Sequence, residues 1–261
     1  VGEVPVSVSV DGGRTWQPGQ VLLRGQDKQA FMHPCPVVDG NTVLLICMDA
    51  HAKVHQRHRH LLLRSADDGL TWSETVTMDP QIEAYDDTFV PGPGIGIRTR
   101  NGRLIVPGYT NALGADGQSV ASHSRALYSD DHGRSWRLGR PVNDSGSNES
   151  QVVELADGRL LLNWRIQRDL SAHPGCRGRA TSADGGETWS EPALARALNE
   201  APCQAGFIRA APPGPGNAGL LLFSNPDAVP GPDGGERTKM TVRLSRDDGR
   251  TWLVARLICP G

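Results

Sequence analysis

The 261-residue chain has few of the features that mark helical or membrane-spanning proteins. No apolar run approaches the roughly 18 residues of a membrane span, and no stretch shows the i, i+3, i+4 apolar spacing of an amphipathic helix. A formal net charge of −2 argues against nucleic-acid binding, which needs a basic face. The 31 glycines and 19 prolines favour frequent turns and short strands. The sequence therefore predicts an all-β fold.

The five cysteines are odd in number and include no C-x-x-C pair. This pattern indicates neither a zinc site nor a disulfide framework. We expect buried free thiols, with a Cys176 to Cys203 bridge as the alternative, and no metal or other cofactor. The basic segment between His51 and His60 contains four histidines but no carboxylate or cysteine to complete a metal-binding set. It is better interpreted as a solvated rim that attracts anions than as a metal site.

One short motif, S-x-D-x-G-x-[ST]-W, occurs five times at intervals of 53 to 64 residues. We call these repeats the boxes; they span residues 9–16, 65–72, 129–136, 182–189 and 245–252. The aspartate can accept hydrogen bonds from its own turn, the glycine permits a backbone conformation that other residues resist, and the tryptophan offers an apolar plate. The boxes are therefore predicted to be scaffold. The interval suits four short strands, which predicts the blades of a β-propeller.

The strongest local pattern is Asn148 to Arg165, in which two apolar runs flank Asp157-Gly158. An Asp-Gly pair between apolar runs predicts a β-hairpin. Glu149 and Arg165 then lie opposite each other, within one residue of register, at the open end of the hairpin. One interpretation is a cross-strand ion pair, and the other is a functional pair of charges.

The repeats place these charges relative to the boxes. In each full unit a glycine-containing turn, Asp-Gly or Asn-Gly in three units and Gly/Pro-rich in the fifth, joins the first strand to the second, and the box joins the third to the fourth. Both turns lie at one end, so the opposite end receives Glu149, Arg165 and the long connections at 49–60, 110–124, 167–177 and 225–239. That end, which we call the site end, is the natural place for a pocket. Four full units and one half unit are predicted, and we expect residues 1–261 to form a single domain.

Together these motifs resemble the sialidases (neuraminidases), glycoside hydrolases with a six-bladed propeller. The resemblance rests on the boxes and on four further segments: N-E-x-Q-V-V-E-L-x-D-G at 148–158, N-x-R at 163–165, G-P-G-x-G-I at 92–97, and F-S-N-P followed by R-x-x-[ML]-T-[VL]-R at 223–243. It covers nearly the whole chain.

The resemblance implies an exo-α-sialidase that removes terminal sialic acid from glycoconjugates, with retention, through a tyrosyl intermediate. Sialidases are a known exception to the two-carboxylate scheme of glycosidases: a tyrosine attacks, activated by a glutamate. Glu149 matches that glutamate. Arg165 and Arg237 match two of the three arginines that hold the substrate carboxylate, for which planar guanidinium forks are suited. Tyr109 matches a substrate-pocket position. The implied partners are sialylated glycans.

Some functional residues of the family have no match here. Neither the first arginine nor the aspartate acid/base appears before the first box, and no nucleophilic tyrosine follows the fifth. Of the three tyrosines, Tyr128 immediately precedes a box and Tyr85 lies in an acidic loop. We therefore expect an internal segment of a sialidase, incomplete at both ends and inactive alone. An extracellular, periplasmic or lysosomal location is favoured if a leader has been removed.

Two other functions remain open. A non-catalytic sialic-acid or glycan-binding propeller would keep the arginines without the nucleophile, although it has no need for Glu149. A protein-binding scaffold would leave Arg165 and Arg237 unexplained. His173 and Arg177 border the site end and are candidates for glycan contact, with solvated loop charge as the alternative.

Overall fold

A computed structural model describes residues 2–26, 29–51, 59–78, 88–114, 119–167, 175–228 and 237–259. Within these ranges every regular element is a β-strand, and there is no helix long and apolar enough to cross a membrane. The strands form five antiparallel sheets in chain order. The all-β prediction is thus confirmed.

The first sheet has two strands, β1 (Glu3–Val6) and β2 (Gln20–Arg24). The second sheet consists of β3 (Gln29–Asp39), β4 (Thr42–His51), β5 (Arg59–Ser65) and β6 (Val76–Thr77). In the third, the first-strand position is divided between β7 (Thr88–Pro91) and β8 (Ile97–Arg98), which both pair with β9 (Leu104–Leu113); β10 (Ser119–Ser129) and β11 (Arg137–Leu138) follow.

The fourth sheet consists of β12 (Ser147–Glu154), β13 (Leu160–Ile166), β14 (Cys176–Ser182) and β15 (Ala193–Asn199). The fifth consists of β16 (Gly206–Ala211), β17 (Leu220–Pro226), β18 (Met240–Ser245) and β19 (Val254–Cys259). Each sheet pairs its strands in sequence order, as the blades of a propeller do. The four full blades and one half blade are those predicted.

The hydrophobic core lies between neighbouring blades. Leu44 and Ile46 of the second blade pack with Phe89 and Leu127 of the third, and equivalent clusters join the third blade to the fourth and the fourth to the fifth. Both faces of the inner strands are thereby buried, which explains their nearly continuous apolar runs. Burial between blades therefore stabilises the stack as a whole.

The boxes have the predicted geometry. In the third blade's box Ser129 Oγ donates to Asp131 Oδ1 at 2.8 Å, Ser135 N donates to the same oxygen at 2.8 Å, and Gly133 N donates to Ser129 Oγ at 2.9 Å. Gly133 has φ 73°, as the motif requires. The variable residue before the glycine is also left-handed in every box, for example His132 at φ 62°.

One expectation about the connections was wrong. The connection at 110–124 is mostly an extension of the β9–β10 ladder, because Thr110 pairs with His123 and Asn111 with Ser122 through backbone hydrogen bonds that need no apolar alternation. The expectation of free thiols is confirmed, since all five cysteines are free and the alternative Cys176–Cys203 bridge is absent. Cys35, Cys47 and Cys176 are buried as expected, whereas Cys203 is half-buried and Cys259 is exposed.

Candidate functional site

Glu149 lies on a bulge of the fourth blade's innermost strand. β12 pairs with β13 from Glu154 to Ser150, and the register then shifts between Ser150 and Ser147. The Asn148 side chain stabilises this bulge, because its Oδ1 accepts a 2.7 Å hydrogen bond from Glu149 N. A bulge redirects the side chains of the strand that carries it. The bulge that carries Glu149 lies at the site end, opposite the Asp157-Gly158 turn, as predicted.

Arg165 on β13 contacts Glu149 directly. Its Nη1 donates to Glu149 Oε2 at 3.0 Å, and the two side chains are only 21% and 17% exposed. Arg165 Nε is buried and has no hydrogen-bond partner among the described residues. A buried unpartnered donor is costly, so this guanidinium retains an unmet demand for an acceptor.

Tyr109 on β9 is brought beside this pair by the packing of the third blade against the fourth. Ser150 Oγ donates to the carbonyl of Gly108 at 3.0 Å, and Ser124, which pairs with Tyr109, donates its hydroxyl to the Asn148 carbonyl at 2.6 Å. Burial and, to a smaller extent, the Glu149 carboxylate together raise the pKa of Tyr109 to about 12, although Arg165 acts to lower it. The phenol therefore keeps its proton at neutral pH.

Arg237 enters from the fifth blade. It precedes β18 at the end away from the last box, and its Nη2 donates to the Pro202 carbonyl at 3.1 Å. The next residue, Cys203, is half-buried. Burial raises the pKa of the Cys203 thiol, and the guanidinium groups of Arg177, Arg237 and Arg165 act to lower it. Arg237 and Arg165 thus lie within electrostatic reach of one thiol.

Arg177 does not border a glycan-accessible loop. It is fully buried at the start of β14, and its Nη1 lies 2.9 Å from Oε1 of Glu200, which is also fully buried. Burial lowers the pKa of Arg177, while the charge of Glu200 opposes that shift. Neither interpretation from the sequence was correct: the side chain is in neither a glycan-facing nor a solvated position.

The Gly92–Ile97 motif has a structural role next to the site. The Pro93 carbonyl accepts hydrogen bonds from Gln151 Nε2 and Gln204 Nε2, both at 2.7 Å. Gly94 lies so close to Gln151 that a Cβ would fall 1.9 Å from its Nε2, with φ at 147°. The loop therefore joins the third blade to β12 of the fourth blade and to the segment just before β16 of the fifth.

The histidine-rich segment is only partly described. His60 is buried at 3% exposure and its Nε2 lies 2.6 Å from the Phe89 carbonyl, so this histidine is not part of a solvated rim. His55, His58, Tyr85 and His173 lie outside the described residues. Among the residues that are described, no group of three or more His, Cys, Asp or Glu side chains is arranged to hold a metal ion.

The candidate site residues are thus two guanidinium groups, one carboxylate and one phenol, contributed by three consecutive blades. Two forked cations suit a ligand carboxylate. The Glu149 carboxylate beside them can accept a proton or stabilise positive charge that develops in a reaction.

Comparisons with known proteins find that the chain is similar to sialidases. Residues 2–260 match a family model described as the BNR repeat-like domain. The chain is 37% identical over 281 aligned residues to a sialidase of Micromonospora viridifaciens, covering 97% of this chain and 41% of that protein. A sialidase of Bacteroides fragilis is 29% identical over 276 residues, covering 96% of this chain and 48% of that protein.

Solved structures show the same similarity. The Hadza microbial sialidase Hz136 superposes with a TM-score of 0.83 at 29% identity, covering 99% of this chain and 53% of that one. Trypanosoma rangeli sialidase in complex with sialic acid has a TM-score of 0.72 at 22% identity, covering 99% of this chain and 44% of that one, and at that identity it supports the fold alone. The chain spans about half the length of these relatives, or less.

Proposed function

This chain belongs to the sialidase family of BNR-repeat propellers, and on that premise we propose an exo-α-sialidase function in which the site binds the terminal sialic acid that is removed. The observation that carries the proposal is the ion pair of Arg165 with Glu149, together with the buried and unpartnered Arg165 Nε. Leaving a buried donor unpaired is costly for an ion pair whose role is structural alone. A ligand carboxylate would supply the missing acceptor.

We assign recognition of the sialic acid carboxylate to Arg165 and Arg237. The guanidinium forks can form paired, charge-assisted hydrogen bonds with the two carboxylate oxygens. Lysine cannot reproduce this geometry because its ammonium is a point charge. Tyr109, half-buried beside Arg165, would contact the bound sugar as a neutral phenol.

We assign Glu149 as the general base that activates a nucleophilic tyrosine. In the proposed reaction this glutamate takes the phenolic proton, and the tyrosine oxygen bonds to the anomeric carbon as the aglycone leaves with a proton from a general acid. Water then cleaves the tyrosyl intermediate, which gives overall retention of configuration. A neutral tyrosine avoids the repulsion that a carboxylate nucleophile would meet from the sugar's own carboxylate.

The proposal assigns no residue of this chain as the nucleophile or the acid. Tyr109 is the tyrosine near Glu149, but its pKa is raised to about 12, opposite to what activation requires. This observation also favours the alternative function, a sialic-acid-binding propeller without turnover. Glu149 favours the enzyme, since a carboxylate beside a bound carboxylate weakens binding and a propeller that only binds sialic acid gains nothing from it.

The test is a comparison of N-acetylneuraminic acid with its methyl ester by isothermal titration calorimetry. Both ligands have the same ring, but only the acid can pair with the guanidinium groups. We expect the chain to bind the acid at least about tenfold more tightly, and Arg165→Lys and Arg237→Lys to remove most of that preference.

The control is Arg103→Lys. Arg103 lies at the box end, where its Nε pairs with Asp130 at 2.7 Å and its Nη1 with Glu187 at 2.9 Å. This variant should keep the preference for the acid. Equal affinity of the wild-type chain for acid and ester would refute carboxylate recognition at this site.

A further inference from the structure

The fully buried Arg177 makes hydrogen bonds to four separate points of the chain. Its Nε donates to Asn163 Oδ1 at 2.7 Å, and its Nη1 donates to Glu200 Oε1 at 2.9 Å and to the Cys203 carbonyl at 3.0 Å. Its Nη2 donates to the Glu149 carbonyl at 3.5 Å. The guanidinium also lies 5.8 Å from the centre of the Phe223 ring.

Three of these four points are next to a proposed site residue or its partner. Asn163 precedes Arg165 by two positions on β13, and the Glu149 carbonyl belongs to the bulge that directs the Glu149 side chain. The Cys203 carbonyl follows Pro202, whose own carbonyl accepts the hydrogen bond from Arg237. The buried Arg177 guanidinium thus contacts the strands that carry Glu149 and Arg165 and the segment that binds Arg237.

Glu200 completes this connection from the opposite side. Its Oε1 accepts from Arg177, and its Oε2 accepts from the backbone N–H of Ile166 at 3.2 Å, immediately after Arg165. The ion pair therefore joins the start of β14, the end of β13 and the segment between the fourth and fifth blades.

Stability alone does not account for such a pair. Removing two charges from water costs several kcal/mol per ion, and replacing a buried ion pair with apolar residues of similar volume is often neutral or stabilising. The planar guanidinium of arginine, by contrast, holds its N–H donors in a rigid arrangement, and it therefore imposes distances and angles on every acceptor that it contacts. The best-attested use of buried charges is to specify one arrangement over others.

We propose that Arg177 and Glu200 are positioning residues that fix the spacing between the Glu149–Arg165 pair and Arg237, and thereby set the affinity for the sialic acid carboxylate. This inference rests on the proposed function. Neither residue touches the ligand; both act through the backbone and side chains that hold the three charges.

The first experiment measures N-acetylneuraminic acid binding to Arg177→Lys. A lysine retains the charge opposite Glu200 but cannot reach the four acceptors at once. We expect affinity to fall at least about tenfold in a variant that remains folded, as misplacement of recognition groups by about 1 Å is costly. The affinity for the methyl ester should change little, because the ester does not depend on the spacing of the cations.

The matched control is Arg209→Lys. Arg209 also pairs with a carboxylate, Asp248, at 2.8 Å and donates to two carbonyls, those of Glu154 at 2.7 Å and Ala218 at 2.6 Å. It joins segments at the box end, away from Glu149. We expect a similar loss of thermal stability in this variant with sialic acid affinity unchanged within about twofold.

The second readout needs no ligand. In a Cys259→Ser background, Cys203 is the partly exposed thiol, since Cys35, Cys47 and Cys176 are buried. Loss of the hydrogen bond to its carbonyl should release the Cys203 segment. We expect a disulfide reagent to modify Cys203 several times faster in Arg177→Lys, but not in Arg209→Lys, with the modified residue identified by peptide mass.

The outcomes separate the two proposals. A wild-type chain that does not distinguish the acid from the ester overturns the proposed function, and this inference with it. A wild-type chain that does distinguish them, with unchanged affinity and Cys203 reactivity in Arg177→Lys, overturns this inference alone. If Arg177→Lys does not fold, the same measurements on Asn163→Ala, which removes one acceptor, decide the question.

Discussion

At the scale of single residues, the boxes show how a short motif becomes a rigid turn. The two oxygens of the aspartate have separate roles: in the second blade Asp67 Oδ1 accepts from Thr71 N at 2.8 Å, and Oδ2 accepts from Thr71 Oγ1 at 2.6 Å. These hydrogen bonds favour the ionised carboxylate and lower its pKa. The charge of each box aspartate is therefore part of the fold.

This leads to a pH-dependent prediction for Asp131→Asn. Partial burial raises the pKa of Asp131, but hydrogen bonds from Ser135 and Ser129 lower it to about 2. A lowered folded-state pKa contributes stability above the unfolded value of about 3.9, and that stability is lost as the pH falls through the folded value. We expect the variant to be roughly 1–2 kcal/mol less stable at pH 7.

The difference should shrink steadily as the pH falls from about 4 to about 2, because the carboxyl of the unfolded wild-type chain takes up a proton in that range while the folded one stays largely ionised until about pH 2. Urea unfolding of both chains across that range measures it. A difference that persists undiminished at pH 2 would show that the carboxylate charge is not responsible.

At the scale of elements, identical motifs have different energetic roles according to what surrounds them. Trp136 is only 3% exposed and packs into the core between the second and third blades, whereas Trp16 is 64% exposed. Both occupy the last position of a box. The local turn is thus independent of whether the tryptophan is buried.

The two tryptophans provide a matched pair of variants. Trp136→Ala should cost about 3–5 kcal/mol, because it removes a large buried side chain and leaves a cavity. Trp16→Ala should cost less than about 0.5 kcal/mol, as expected for a surface substitution. Thermal unfolding of the two variants beside the wild-type chain tests this, and equal destabilisation would show that both rings are buried in solution.

At the scale of the whole molecule, the proposed site draws on three blades. Glu149 and Arg165 belong to one hairpin of the fourth blade, whereas Tyr109 belongs to the third blade and Arg237 to the fifth. Two hydrogen bonds link these parts of the chain. Ser150 donates to the Gly108 carbonyl, and Arg237 donates to the Pro202 carbonyl. The sialic acid recognition that we propose would therefore depend on the stacking of blades.

We expect this 261-residue chain to bind sialic acid without hydrolysing a fluorogenic sialoside. Glu149 has no tyrosine of lowered pKa beside it among the described residues, and the pKa of Tyr109 is raised to about 12. A continuous fluorescence assay at high protein concentration provides the measurement. Turnover that is abolished by Tyr109→Phe would contradict this expectation and identify Tyr109 as the nucleophile.

The sequence alone determined the local structure. Box turns, the Asp157-Gly158 hairpin and the level position of Glu149 and Arg165 follow from residues a few positions apart, so turn chemistry and period-two patterning were sufficient to predict them. The blade count followed from the repeat interval. The family resemblance pointed to Arg237 and Tyr109, whose roles stay predictions.

Only the tertiary structure decided how the site is held together. The burial of Arg177 and Glu200, 23 positions apart, depends on how two blades pack, and an arginine beside a loop has the same sequence pattern whether it is solvated or buried. The extension of β9 and β10 was also missed, because backbone pairing of polar residues leaves no hydrophobic period. Local propensities are set by neighbours along the chain, whereas burial and long-range hydrogen bonds are set by neighbours in space.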